Sequence, residues 1–247
     1  KNIDKVKQKL IPYINAVKFF ITQLTDYQKK GNTFDINKYE NTTVLTDKWI
    51  ISRLGSVLKF VKNKMKCYQI DKCIQELMEF IEDLTNWYIK FNRERLRGLA
   101  GAEDWSVSLS TLNHVLYNFL KIMAPFTPFL SEYLYKHLKS LNLEENESVM
   151  LCTYPESTKF KFNEQIECKM VRLRQVVKLV RILRDSTKNL KTIRIPIKEV
   201  VVYHNNDEYL EDIMTIEDLA QEEMNCEIFK YKKFSENVTY NIVSNQK

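Results

Sequence analysis

A mainly α-helical protein, with a helical bundle followed by a long helix and a small α/β module, is the fold this sequence predicts. Three observations predict it. Glycine (4) and proline (5) are scarce in 247 residues, which favours long helices over folds built from many turns. Up to Leu141, apolar residues recur at alternating spacings of three and four, the pattern of one buried helix face. Beyond that point, β-branched runs alternate with helical stretches. Hydrophobic residues make up 44% and aromatics 12%, enough to close a core and unlike a disordered chain.

The first helix carries Val6, Leu10, Tyr13, Val17, Phe20 and Leu24 on one stripe, with a kink expected at Pro12. Residues 31–43 are polar and turn-rich and read as a loop. Thr46 or Asp47 is suited to cap a second helix that buries Ile50, Leu54, Val57, Val61 and Met65. Asp71 is suited to cap a third, with Ile70, Ile74, Leu77, Ile81, Leu84, Tyr88 and Phe91 inward. Continued over 71–97, that helix would be about 40 Å long, with Gly98 and Gly101 ending it.

A fourth helix is expected from Ser106 or Ser108, burying Leu109, Leu112, Leu116, Phe119 and Met123, and Pro125 breaks it. Thr127-Pro128 restarts a fifth, with Leu130, Leu134, His137 or Leu138, and Leu141 inward. Five helices with short connections make a bundle.

After it come an acidic loop, "NLEENES", and a short extended piece, "VMLCTYPES". A long helix over 163–188 buries Ile166, Met170, Leu173, Val177 and Val180. "KEVVVYH" reads as a strand, 207–225 as a helix in one or two pieces restarted at Thr215, and "CEIFKYK" and "NVTYNIV" as two more strands. The domains are accordingly read as 1–158, the bundle, and 159–247, the long basic helix with the α/β module.

Several chemistries find no support. There is no Gly-rich phosphate loop and no His-Glu-x-x-His, and no catalytic residues are assigned. Five cysteines without a Cys-x-x-Cys pair, and three scattered histidines, give neither a zinc site nor a disulfide framework. No metal or cofactor is assigned, and free thiols point to a reducing, cytoplasmic setting. His114 lies beside inward Val115 and Leu116 and reads as packing. No apolar run reaches about 18 residues, so no membrane partner is expected, and the polar amphipathic start does not read as a signal peptide.

The chemistry that does stand out is cationic, with a net charge of +6. The segment "LTNWYIKFNRERLRG" at Leu84 ends the third helix in aromatics, amides and guanidiniums. Asn86, Lys90, Arg93 and Arg97 lie at i, i+4, i+7 and i+11 and would share a face. Arg offers a planar fork to phosphate and Lys a point charge, while Trp87 and Tyr88 offer flat surfaces for unstacked bases. Trp87 is expected at the bundle's edge, one residue before the core position Tyr88. Arg95 falls on the buried stripe, where a guanidinium cannot stay alone. Either the stripe leaves the bundle there or Arg95 has an acidic or phosphate partner. A second row, Arg174, Lys178 and Arg181 with Arg172 and Arg184 nearby, lies on the long helix and resembles a row that tracks phosphates. Each row alone also reads as a solvated helix face; together they favour a polyanionic partner.

"IPYINAVKFF" at Ile11, "DKWIISRL" at Asp47, "LTNWYIKFNRERLRG" at Leu84, "MAPFTPFLSEYLY" at Met123 and "RIPIKEVVV" at Arg194 follow the order seen in eukaryotic-type isoleucyl-tRNA synthetases, and the chain resembles that family over almost its whole length. The "APFTPFLSE" stretch is shared with valyl relatives; the Asn-Trp-Tyr run with Asn92-Arg93-x-Arg95 favours isoleucyl. The resemblance implies a class I anticodon-binding domain that meets the anticodon arm of isoleucine tRNA through the helix end with Asn86, Trp87, Lys90, Asn92, Arg93, Arg95 and Arg97; from their spacing, Arg174, Lys178 and Arg181 are expected on the tRNA backbone, with Arg172 a further tRNA-binding candidate. It implies a partner catalytic domain upstream of Lys1 in the same protein, carrying the His-Ile-Gly-His and Lys-Met-Ser-Lys-type motifs that are missing here, and ATP with magnesium there. This region would then bind tRNA without activating isoleucine. The alternatives are the same domain of a valyl-tRNA synthetase and a helical protein–protein scaffold.

Overall fold

The computed structural model describes residues 2–142, 146–187 and 194–233. The side chain of Val6, residues 143–145 of the acidic loop, Lys188 at the expected end of the long helix and the expected strand "NVTYNIV" lie outside them. The chain divides into two units, Lys1–Asn163 and Glu164–Lys247.

The first unit is built from α1 (Asn2–Lys29), α2 (Leu45–Lys66), α3 (Ile70–Glu82), α4 (Ile89–Phe91), α5 (Arg93–Leu96), α6 (Ala102–Met123) and α7 (Pro128–Leu138). α1 runs through Pro12 without a break and buries Tyr13, Val17, Phe20 and Leu24 as the spacing requires. α6 is the central helix, packed on α1, α2 and α7. Its Phe119 meets the edge of Tyr13 at 5.2 Å and the tilted ring of Phe80 at 4.6 Å. Buried Ser110 fastens the 31–44 connection: its hydroxyl donates to the Ile36 carbonyl (2.8 Å) and accepts from the Tyr39 amide (3.0 Å).

Several boundaries differ from expectation, each for a local reason. Thr46 and Asp47 do not cap α2; Val44 precedes it, and both polar residues are buried in its first turn with partners on other segments. Asp71 likewise lies inside α3, which follows Gln69. Ile70, Ile74 and Met65 are exposed, and Cys73 takes the inward place at the start of α3. α6 begins at Ala102, four residues before Ser106, because Gly101 at φ 104° turns the chain into it. Leu138, not His137, is the inward residue near the end of α7. Val149–Leu151 forms a single 3-10 turn instead of an extended piece, capped by the Ser148 hydroxyl.

The expected single rod over 71–97 is also divided. α3 gives way to a π-helical stretch, Asp83–Tyr88, then α4, a break at Asn92, and α5. Arg53 of α2 braces the start of the π stretch, its Nε donating to buried Asp83 (2.8 Å) and its terminal nitrogen to Glu76 (2.6 Å). At the far end, Gly98 takes φ 77° under the indole of Trp105, where an added Cβ would lie 2.4 Å from the ring. The Trp105 Nε1 donates to the Leu96 carbonyl (2.7 Å), satisfying one of the last orphaned acceptors.

The second unit contains α8 (Glu164–Ser186), β1 (Ile197–His204), α9 (Asp207–Met214), α10 (Glu217–Met224) and β2 (Cys226–Lys233). β1 and β2 pair in parallel, with Ile197 opposite Cys226 and Val200 opposite Phe229. Parallel neighbours need a long crossover, and α9 and α10 supply it. Asn206 caps α9 by accepting from the Glu208 amide (2.8 Å), and Asn225, at φ 48°, ends α10 in the left-handed conformation and leads into β2. Met170, Leu173, Val177 and Val180 of α8 are buried, as predicted. Among the described residues no helix is long and apolar enough to cross a membrane.

His114 of α6 is stacked on Tyr39 (3.9 Å between centroids) and tilted against Phe160 (5.6 Å). Burial holds its pKa down, from 6.5 to about 4. A histidine depressed in this way is neutral when folded and takes up a proton on unfolding. Its contribution to stability is therefore present above pH 6.5 and is lost as pH falls toward about 4. Urea unfolding between neutral pH and about pH 4 should show a loss on the order of 2 kcal/mol from this group, discounted for partial exposure, and His114→Gln should flatten that part of the profile.

Candidate nucleic-acid interface

The candidate interface is the helix end after the π stretch. A π turn uses more than four residues, so it advances the phase of every residue that follows by about one position. Leu77 and Ile81 face inward before it and Leu84 and Tyr88 within it; after it, Asn92 and Leu96 do, in place of Phe91 and Arg95. This phase shift decides where each sequence-derived candidate lies.

Asn92 is a correction. It is 1% exposed and its amide is consumed internally: Nδ2 donates to the Tyr88 carbonyl (2.9 Å), and Oδ1 accepts from Thr46 (3.0 Å) and from Arg95 (2.6 Å). Arg95 is a second. Its Nε donates to Asp104 of α6 (2.9 Å to each oxygen), and its two terminal nitrogens donate to Oδ1 and Oδ2 of Asp47 (3.1 Å each). Of the partners open to it from sequence, the structure gives it the acidic one. Burial works against its charge, but the hydrogen bonds to Asp104 and Asp47 more than compensate, and its pKa is raised. Trp87 is a third: at 8% exposure, against Phe91 (5.8 Å between centroids), it belongs to the packed interior more than to an edge with a free face.

Asp47 is the hub. It is 0% exposed and accepts from the hydroxyls of Tyr88 (2.9 Å) and Thr42 (2.7 Å) as well as from Arg95. Burial first, and then the Asp47 charge, raise the pKa of the Tyr88 hydroxyl, so it stays a donor. One carboxylate thereby ties together α2, the loop before it, the π stretch and α5, and Arg95 extends the tie to α6.

Outside this lock stand Asn86, Lys90, Arg93 and Arg97, all exposed. Among the described residues no ion pair engages the guanidinium of Arg93 or Arg97, and Glu94 between them pairs with neither. A cleft of about 440 Å³ opens at Arg95, lined also by Thr42, Val44, Gly101, Asp104 and Val107; none of the four exposed donors lines it. Chemically this is a set of forked and point-charge donors on a backbone that cannot easily shift, suited to anionic oxygens.

The basic row of α8 is changed more. Arg172 pairs with Asp212 and with Glu208 (3.1 Å), and its guanidinium lies 5.4 Å from the ring of Tyr209. Arg181 pairs with buried Glu223. Arg184 is buried and donates to the carbonyls of Ile195 (2.8 Å) and Met224 (2.6 Å). These arginines fasten α8 to α9, α10 and the chain before β1, so most of the row is internal structure; Arg174 is half-buried and Lys178 exposed. The acids that neutralise it come from elements distant in sequence, which a scan of the helix itself does not see. Among the described residues no group of three potential metal ligands converges.

Comparison with known proteins gives a concordant picture. Residues 47–200 match the family described as the anticodon-binding domain of tRNA ligase. A probable cytoplasmic isoleucine–tRNA ligase of Dictyostelium discoideum is 35% identical over 91% of this chain and 21% of that protein. The cytoplasmic isoleucine–tRNA ligases of Mus musculus and Saccharomyces cerevisiae are 33% and 35% identical over 90% of this chain, and 18% and 21% of those proteins. The chain thus spans about a fifth of the length of these relatives.

If Asp47 is the hub, its removal must cost far more than loss of the displayed arginines. Asp47→Ala leaves Arg95 partly buried with half its acid partners and should destabilise the chain by about 3–5 kcal/mol in urea unfolding. Arg93→Ala and Arg97→Ala should each stay within about 0.5 kcal/mol. Comparable losses from all three would mean that the network does not hold the helix end.

Proposed function

This chain belongs to the anticodon-binding domain family of tRNA ligases, and from that premise we propose that it is the tRNA-binding region of a cytoplasmic isoleucine–tRNA ligase, meeting the anticodon arm of isoleucine tRNA. The observation that carries this reading is that the family match, 47–200, contains both the hub at Asp47 and the exposed rank of Asn86, Lys90, Arg93 and Arg97. Isoleucine as the cognate amino acid, and the cytoplasm as the setting, are supported by the names of the relatives.

Arg93 and Arg97 act as phosphate or base-edge donors. Asn86 and Lys90 extend the contact along the same helix end. Asn92, Arg95, Tyr88 and Asp47 act on the RNA only by holding in place the backbone that carries these side chains. Fixing donors in advance lowers the ordering cost of binding. In the parent enzyme this region positions tRNA, while amino-acid activation with ATP and magnesium belongs to the catalytic domain of the same protein.

Two measurements test the proposal. The purified chain should shift isoleucine tRNA in a gel in a salt-dependent way and valine tRNA more weakly. Arg93→Ala and Arg97→Ala should each reduce the salt slope by about 0.7–0.9 without changing the melt. Equal retention of both tRNAs would favour a valyl enzyme or unspecific binding, and absence of RNA binding would favour a protein scaffold. Isoleucine-dependent ATP–pyrophosphate exchange by the chain alone should be undetectable, and measurable exchange would contradict the division of labour.

A further inference from the structure

A second cationic surface runs along α2. Lys48, Lys59, Lys62 and Lys66 stand at offsets of 0, 11, 14 and 18 residues. At about 100° per residue they fall within about 60° of arc, and from first to last they cover about 27 Å of helix. Lys48, Lys59 and Lys66 are exposed, and Lys62 is half-buried with Nζ 5.6 Å from the ring centroid of Tyr154.

Between Lys48 and Lys59 this face is crossed by the segment before α8. Gly55 makes room for it: a Cβ there would lie 2.8 Å from Cβ of Phe160, and the Asn163 amide donates to Ser52 Oγ at 2.8 Å. The crossing segment brings its own exposed cation, Lys161, so the strip continues across it.

Like Arg93 and Arg97, these lysines have no acid partner among the described residues. Arg53, Arg95 and Lys38 of the same unit each have a carboxylate partner. Among the described residues none of Lys48, Lys59, Lys62, Lys66 and Lys161 is in an ion pair, and Glu156 on the crossing segment pairs with none of them. Like charges at three- and four-residue spacing repel, so the helix carries a small destabilisation at Lys59, Lys62 and Lys66 that a polyanion would relieve.

The strip starts one residue after Asp47, at the foot of the locked helix end. Point charges on flexible stems neutralise phosphates and read no base. We propose that this lysine strip tracks the phosphate backbone of the double-helical stem of the same RNA whose loop meets the helix end. The inference rests on the RNA-binding reading above and adds a contact surface to it. A length of about 27 Å suits a helical stem, where phosphates recur at regular distances, better than a single loop.

The test compares intact isoleucine tRNA with a hairpin that keeps the anticodon loop on a stem of only a few base pairs. Lys59→Gln/Lys62→Gln/Lys66→Gln should lower affinity for intact tRNA by about tenfold near 0.1 M salt and shrink the salt slope by about 2 to 3. Affinity for the truncated hairpin should be unchanged. Lys62 packs on Tyr154, so Lys59→Gln/Lys66→Gln serves as a second variant that spares this contact, with an expected slope change of about 1.5 to 2. An unchanged slope on intact tRNA, or an equal loss on the truncated hairpin, overturns the stem assignment while leaving RNA binding in place. A wild-type chain that binds neither RNA fails the underlying reading and this inference with it. Loss of binding to anionic vesicles in place of tRNA would assign the strip to a membrane surface and overturn it as well.

Discussion

The Asp47 carboxylate and the Arg95 guanidinium hold each other inside the first unit, and the placement of the whole helix end depends on that pair. Neither charge could be buried alone, since desolvation would cost several kcal/mol per ion. Together, with Tyr88, Thr42, Asn92 and Asp104 filling the remaining donors and acceptors, they form a nearly satisfied network. Its members come from α2, the loop before it, the π stretch, the break at Asn92 and α6. A structure in which any of these is displaced leaves a buried charge without its partner. The network therefore acts as a constraint of position more than as a source of stability.

The π stretch belongs to the same logic. It shifts the phase of the helix so that an amide and a leucine enter the interior, and a guanidinium stands beside them within reach of two acids. Arg93 and Arg97, each one residue past an inward position, are thereby left outside, and among the described residues no acid pairs with them. The same residue type thus does opposite work within five positions. The second unit uses arginine inwardly as well, with Arg172, Arg181 and Arg184 binding α8 to its neighbours.

Donors displayed on one helix end, together with a lysine face along α2 that no acid among the described residues neutralises, make a coherent surface for an extended polyanion. Arginine forks can engage phosphate oxygens in defined geometry, and lysines on flexible stems attract a polyanion in a way that depends on salt and not on sequence. The proposed contact surface and the structural network share a boundary at Asp47 and Lys48, so the stability of the fold and the position of the candidate contacts are set by the same few residues.

The sequence by itself determined the helical class, most of the inward stripes, a small α/β module after the long helix, and the location of the cationic helix end, because each is written in local spacing and composition. Tyr13, Val17, Phe20, Leu109, Leu112 and Leu116 lie inward for the reason the periodicity gives. A signal for the hub was also present: Asp47 extends the α2 stripe backward from Ile50, just as Arg95 extends the α3 stripe forward, and two opposite charges on buried stripes are candidates for each other. Only the tertiary structure decided that they meet, that a π turn moves Asn92 inside, that Trp87 packs in the interior, and that Arg172 and Arg181 of α8 find acids on α9 and α10. Those outcomes depend on contacts between segments tens of residues apart, and a guanidinium's partner is set by three-dimensional proximity, which no local spacing encodes.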